Sequence, residues 1–359
     1  MVDYNMNKNL VSIIIPIFNA EEFTSQMVDS IIAQTYTNWE LIIVDDGSTD
    51  NSINIINTFV SKDKRIKLIV RPDNIEKGAP SCRNIGINNS NGKYIIFFDA
   101  DDYIAPYCLE QRVTFLEKHN ECDFAIFPML AFKDNLYDYK NAIWGYKMED
   151  KVLSHFIAGA IPFVVATNIY RKESIIRKQL YWDTNLKSLQ DSGYNIMSIN
   201  KGCKYIFSNL RPDYFYRIRG NANSITKKLN SDLHFHSRMY FYNKLLSLFL
   251  EKKEFTSELY ILTNIHFKYL CFDENKKHLD KYLSTPFLKE RGFLSLRLRF
   301  IYHIIKKIKI RSEKVRNRLI LIFCPFFELR HKLYHIRHNK HKENVYKELI
   351  IKETVHALN

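Results

Sequence analysis

Four stretches in the first hundred residues are apolar almost without interruption: "VSIIIPIF" (11–18), "WELIIV" (39–44), "RIKLIV" (65–70) and "KYIIFF" (93–98). Continuous β-branched runs of this length predict strands buried on both faces, as in a parallel sheet. The segments between them carry apolar residues at helical spacing. In 21–34 these are Phe23, Met27, Ile31 and Ile32, and helices are also predicted over 49–60, opened by polar capping residues, and over 80–90. Strand and helix in alternation predict an α/β fold with a doubly wound, mostly parallel sheet, whose ligand site lies at the carboxyl edge of the strands.

The pattern then loosens. From about Pro106 to Phe132 it predicts a further helix and one more strand, "DFAIFPMLAF". Residues 133–227 are less periodic and rich in aromatics, among them Trp144, Tyr170, Trp182, Tyr214, Phe215 and Tyr216. Beyond about Ser231 the chain reads as helical and increasingly basic, so a boundary is placed near residue 230.

Composition narrows the class. With 359 residues and 46% hydrophobic content the chain can bury a full core, which excludes a disordered protein. Its net charge of +14 is not spread evenly, because 16 Lys or Arg against three Glu between Lys289 and Lys342 supply most of it. The N-terminal residues lack the pattern of a signal peptide. The run "LILIFCPFF" (319–327) is about half the length of a membrane span and contains Pro325, so no transmembrane helix is expected. The six cysteines are scattered without a C-x-x-C pair, which argues against zinc and disulfides and for a reducing cytoplasm.

Candidate chemistry sits where the predicted strands end. "YIIFFDADD" closes a buried strand with Asp99, Asp101 and Asp102, and a divalent cation would remove the repulsion among such carboxylates. A hard, oxygen-ligated ion such as Mg²⁺ or Mn²⁺ would complete its shell with a diphosphate. A second acidic strand end, "VDDGSTD", offers Asp45 and Asp46 as acceptors for a nucleoside. There Gly47 allows a close turn, and Ser48 or Asp50 caps the next helix. In "EKGAPSCRNIG", Lys77 and Arg83 are cations available to phosphate or base oxygens. Each motif alone also fits an ordinary solvated turn or strand–turn–helix junction.

Taken jointly, "VSIIIPIFN", "SIIAQTYTNWELIIVDDGSTD", "GAPSCRNIGI" and "YIIFFDADD" resemble the consecutive nucleotide-binding motifs of family 2 glycosyltransferases over about residues 10–105. The resemblance implies a GT-A fold, a nucleotide-sugar donor, probed first as a UDP-sugar, and Mn²⁺ or Mg²⁺. It implies that Asp46 and Arg83 contact the nucleobase region and that Pro16 and Asn19 shape the nucleotide pocket. Asp99 would contact ribose and share the metal with Asp101, which would hold the metal on the diphosphate. Residues 106–230 would form the acceptor side. A weaker likeness continues through "SLQDSGYNIMSINKGCKYIFSNLRPDYFYRIRGNANSIT", which makes Asp191 the general base. Gln190 stands where the family usually has Glu, and Asp191 also fits a helix N-cap.

The resemblance implies attack by an acceptor hydroxyl with inversion, on a glycan or lipid-linked saccharide of cell-surface polysaccharide synthesis. Trp144, Trp182 and Tyr216 would stack on sugar rings or serve the core. The basic segment 294–342, with apolar and cationic residues interleaved, would lie peripherally on an anionic, cytoplasmic membrane surface or pack on the catalytic domain. It carries no recognisable nucleic-acid module. His331, His335, His338 and His341 have spacings that could ligate a metal, and a pH-dependent surface charge is the blander account. Two other classes remain open. A sugar nucleotidyltransferase would share the sheet and acids but normally shows a glycine-rich loop where "PIFNAEEF" stands, and a catalytically silent sugar-nucleotide or glycan binder would keep the fold without turnover.

Overall fold

The computed structural model describes residues 9–132, 143–146, 152–157, 161–218 and 232–251. Two compact units divide them, with Val152–Ile157 and Asp232–Glu251 in the second and the remainder in the first.

The first unit is built on the expected alternation. β1 (Val11–Ile17), α1 (Glu21–Ile32), β2 (Trp39–Asp45), α2 (Ser52–Val60), β3 (Ile66–Val70), α3 (Ala79–Asn89) and β4 (Tyr94–Phe97) follow in order. β5 (Tyr103–Ile104), α4 (Cys108–Glu117), β6 (Phe124–Ile126), β7 (Met129–Phe132) and β8 (Ile143–Trp144) come next. A 3-10 turn (Val165–Thr167), β9 (Asn168–Arg171), α6 (Lys172–Arg177), α7 (Gln190–Asn200), β10 (Tyr205–Phe207) and β11 (Tyr214–Arg217) complete the unit. The second unit contributes α5 (Val152–Ile157) and α8 (Asp232–Glu251), the latter burying Phe241, Tyr242 and Leu245.

A seven-stranded sheet runs β10-β6-β9-β4-β1-β2-β3. All its neighbours are parallel except β9, which is antiparallel to both β4 and β6. The uninterrupted apolar runs follow from burial on both faces. Ile13, Ile15, Leu41, Ile43 and Ile96 pack with Met27, Ile31, Ile56, Leu109 and Leu116, whereas Ile42 and Val44 pack with Cys82 of α3 on the other side. Successive residues therefore need opposite apolar partners.

α3 approaches β1 closely at Gly86, where a Cβ would stand 2.3 Å from Ile14 Cγ2. Alanine in a helix interior ordinarily gains about 1 kcal/mol over glycine. Forcing a methyl into this packed contact costs about 1–3 kcal/mol and displaces the helix that carries Arg83. Gly86→Ala is expected to lower the midpoint of chemical unfolding, and an unchanged or raised midpoint would show that the contact yields freely.

One sequence expectation needs correction. "DFAIFPMLAF" is not a single strand: it breaks at Phe127–Pro128 into β6 of the large sheet and β7 of a second, four-stranded sheet ordered β5-β11-β7-β8. Pro128 has no N–H to give a ladder. Phe127 instead donates to the Thr167 carbonyl at 2.8 Å, which turns the chain between sheets.

Among the described residues no helix is long and apolar enough to cross a membrane. Cys82, Cys108, Cys122 and Cys203 are free and buried. The basic segment 294–342, its four histidines, Cys271 and Cys324 lie outside the described residues.

Candidate active site

Every acidic motif sits at the carboxyl edge of the parallel strands. β1 runs out at Ile17, paired with Asp45, and Asp45 is paired in turn with Val70 of β3. The two loops beyond β1 and β2 are clasped to each other. Asn19, at φ 47, donates its N–H to Ser48 Oγ at 3.0 Å and accepts from the Thr49 N–H at 2.8 Å. Asp50 accepts from the N–H groups of both Glu21 and Ser52 at 3.0 Å, so one carboxylate caps α1 and α2 together. Pro16 is half-buried on β1 beside Val44.

Asp45 and Asp46, adjacent in sequence, do different things. Asp45 is wholly buried and accepts from the backbone of Gly47 at 2.9 Å and Ser48 at 3.1 Å, the turn being allowed by φ 85 at Gly47. It holds the turn, a role the sequence reading did not assign to it. Asp46 Oδ1 pairs with Arg71 Nε at 2.5 Å and accepts from the Gly78 N–H at 3.1 Å. Arg71 was not foreseen. Its signal was faint, a cation one position beyond the third strand.

Lys77 is exposed and lies over the exposed Phe18 ring, 4.0 Å from its centroid. Lys187 closes the loop around them, donating to Glu76 at 2.7 Å and to the Lys77 carbonyl at 2.9 Å.

The DADD turn separates its three acids. Asp102 is turned inward, 1% exposed, where Tyr214 donates its hydroxyl to one oxygen and the Arg217 N–H reaches the other at 2.7 Å. Burial first, then the neighbouring Asp101 and Asp99 charges, push its carboxyl well above the ordinary range. Arg217 Nε also donates to the Asp101 carbonyl at 2.9 Å, so β11 grips the turn from below. Asp101 is half-buried, and the Asp99 side chain is 40% exposed.

Arg83 crosses from α3 to this turn. Its guanidinium pairs with Asp99 at 2.6 Å, reaches Gln190 Oε1 at 3.5 Å and lies over the Trp182 ring, 4.3 Å from the centroid. Its buried Nε has no hydrogen-bond partner among the described residues. Arg83 thus stands between the turn and the start of α7. Trp182 is only 3% exposed, stacked on Tyr194 at 4.5 Å and edge-on to Phe97. It is a core ring beneath Arg83, the second of the two readings open for it. Trp144 and Tyr216 are half-buried and meet each other edge-on, 6.1 Å apart.

Asp191 occupies the first turn of α7, behind Leu189, whose φ of 58 makes the approach left-handed. It is part-buried and accepts from the Val165 N–H at 3.3 Å. Burial raises its carboxyl pKa, the Arg83 charge pulls it back, and Asp99 adds to the rise, leaving it above the ordinary carboxylate value.

Among the described residues no three His, Cys, Asp or Glu side chains converge as a metal-ligand set. Asp102 is turned inward, and Asp101 and Asp99 are the carboxylates of this turn whose chemistry would fit a divalent cation. One or two carboxylates suffice for Mg²⁺ or Mn²⁺ when substrate phosphates supply other oxygens.

The sequence matches the glycosyl transferase family 2 profile over residues 12–180. Over those residues the chain is similar to glycosyl transferase family 2. An uncharacterized glycosyltransferase of Haemophilus influenzae is 49% identical over 111 residues, covering 31% of this chain and 44% of the relative. The Escherichia coli UDP-Glc:alpha-D-GlcNAc-diphosphoundecaprenol beta-1,3-glucosyltransferase WfgD is 39% identical over 115 residues, 32% of this chain and 44% of that one. The chain spans about half the length of the curated relatives it matches. The crystal structure of S. aureus TarS 1-349 in complex with UDP-GlcNAc shares the fold, with TM-score 0.57, 17% identity, and coverage of 95% of this chain and 92% of that one. The fold is therefore of the GT-A type.

Proposed function

We propose that this protein is a family 2 inverting glycosyltransferase that moves a sugar from a UDP-sugar to a hydroxyl of a glycan or lipid-linked saccharide. The observation that carries the reading is Arg83. One guanidinium is paired with Asp99 of the donor turn at 2.6 Å and reaches Gln190, next to Asp191 in the chain, at 3.5 Å, so a single cation links the donor-side acid to the start of the helix that carries the candidate base. The names of WfgD and of the TarS complex, which contain UDP-linked sugars, support the choice of base, and that of WfgD supports a lipid-linked acceptor. Residues 1–230 are assigned as the catalytic part. The basic 231–359 region is assigned as the part that reaches an anionic membrane at its cytoplasmic face.

In this mechanism Asp191 takes the proton of the acceptor hydroxyl as its oxygen attacks the anomeric carbon. The nucleoside diphosphate departs from the opposite face, and the configuration inverts. Asp46 and its Arg71 partner border the nucleobase end, with Lys77 at the rim, and Arg83 keeps Asp99 in place beside the ribose. A divalent ion on Asp101, when bound, would supply positive charge to the departing diphosphate.

Calorimetric titration with UDP, and separately GDP, with and without Mn²⁺, tests the donor site. UDP is expected to bind with Mn²⁺ and at least about tenfold more weakly without it, a difference of about 1.4 kcal/mol. In Asp101→Ala the metal should no longer strengthen binding. A folded wild-type protein that binds neither nucleotide would favour a silent relative.

A further inference from the structure

The most deeply buried ion pair among the described residues of the first unit joins α4 to the residue before β11. Arg112 of α4 and Asp213, just before β11, are both 0% exposed. The guanidinium is bidentate on the carboxylate, Nε to Oδ2 at 2.9 Å and Nη2 to Oδ1 at 2.7 Å. Its remaining nitrogen, Nη1, donates to the Ala166 carbonyl at 2.9 Å and the Asn168 carbonyl at 3.4 Å. A planar fork makes the bidentate contact with the carboxylate and still presents a third nitrogen to the carbonyls, a span that the single nitrogen of an ammonium does not have.

One direction leads to Asp191 and the other to Asp102, the buried acid of the DADD turn. Ala166 lies in the 3-10 turn whose first residue, Val165, donates its N–H to Asp191. The same segment is tied to α7 again through Asn195, which meets Asn168 at 3.3 Å and donates to the Phe163 carbonyl at 3.3 Å. On the other side Asp213 adjoins Tyr214, whose hydroxyl holds Asp102 in the DADD turn. The Asp213 carbonyl also accepts from Ala105 at 2.9 Å, which pins the strand leaving that turn.

We infer that Arg112 is a positioning residue for glycosyl transfer, setting the separation between the Asp191 base and the Asp101 turn through the Ala166 carbonyl and Asp213. The inference rests on the proposed roles of Asp191 and Asp101. Arg112 touches neither acid, so its loss should affect the transfer step and spare nucleotide binding. Misplacement by about 1 Å costs on the order of 10²-fold in rate.

Two variants separate this role from packing. Arg112→Lys keeps the charge and loses the fork. The double variant Arg112→Met, Asp213→Leu removes both charges in similar volume, a replacement that buried pairs often tolerate. The readout is Mn²⁺-dependent hydrolysis of UDP-glucose, UDP-galactose, UDP-N-acetylglucosamine and GDP-mannose with water as acceptor, alongside UDP calorimetry and thermal melting, with Asp191→Asn as reference.

Both variants are expected to fold, to bind UDP within about threefold of wild type and to lose between about ten- and a hundredfold in kcat with donor KM little changed. Wild-type kcat in the folded double variant, while Asp191→Asn is inactive, overturns the positioning role alone. So does a fall in kcat matched by an equal loss of UDP affinity, or failure of both variants to fold. A wild-type protein that hydrolyses none of the four donors, or an Asp191→Asn variant as active as wild type, removes the underlying reading and this inference with it.

Discussion

Replacing Asp191 by asparagine should abolish transfer while leaving the nucleotide site intact: kcat falls by about 10²- to 10⁴-fold, the range of a lost general base, and Mn²⁺-dependent UDP affinity stays as it was. The amide keeps the shape of the carboxylate and can still accept from the Val165 N–H. What it loses is the ability to take a proton. Turnover within a few-fold of wild type, in a folded variant, would reassign the base.

The same substitution has a stability signature of opposite sign. Burial holds the Asp191 carboxyl above its ordinary pKa in spite of Arg83. A group whose folded pKa is raised contributes stability that is complete below the unfolded value, about 3.9, and is lost as pH rises through the folded value. Above that window the ionised carboxylate is a cost, which the neutral asparagine lacks. Asp191→Asn should therefore melt higher than wild type near neutral pH, with the difference closing in acid. Because the base works ionised, the acid limb of the wild-type kcat/KM profile should lie above the usual carboxylate range and vanish in the variant's residual activity. An inactive variant that is also more stable identifies a carboxylate kept for chemistry.

How far the chain could be read without its structure depends on the range of the signals. β1, β2 and β4 were legible because each residue is buried against a helix on one face or the other, leaving continuous runs such as "VSIII" with nothing polar except Ser12. Even Ser12 is spent locally, donating to buried Glu40 at 2.7 Å. The second sheet was not legible, since β5 and β8 are two residues each and too short to show a period. Within the motifs the sequence named the neighbourhood and not the duty. "DADD" does not disclose that Asp102 faces Tyr214 while Asp101 is only half-buried, because the strand's alternation ends at Phe97 and the turn reorients the residues beyond it. "VDD" likewise leaves open which acid caps its own turn. The choice between sugar platform and core ring at Trp182 was hidden for the same reason: its ring direction is set by Phe97 and Tyr194, contacts that arise only after folding.

Removing Asp213 alone should produce the largest loss of stability. Burial by itself lowers the Arg112 pKa, and the adjoining Asp213 carboxylate more than offsets this, so the guanidinium remains charged at every working pH. Asp213→Ala leaves that charge fully enclosed, with Phe98 and Phe127 rings 5.3 Å away and two carbonyls as its remaining partners. An uncompensated buried charge costs about 3–5 kcal/mol, a large part of the roughly 5–15 kcal/mol that holds a domain folded. In a unit of this size that is a fall in Tm of roughly 6–20 °C, readable by near-UV dichroism. The Arg112→Met, Asp213→Leu double variant should recover most of it, because neither charge remains to be solvated. If the single and double variants are destabilised alike, the pair acts through its volume and not through its charge. If the double variant alone is stable yet slow, an intact fold and a working site have been separated at one buried guanidinium.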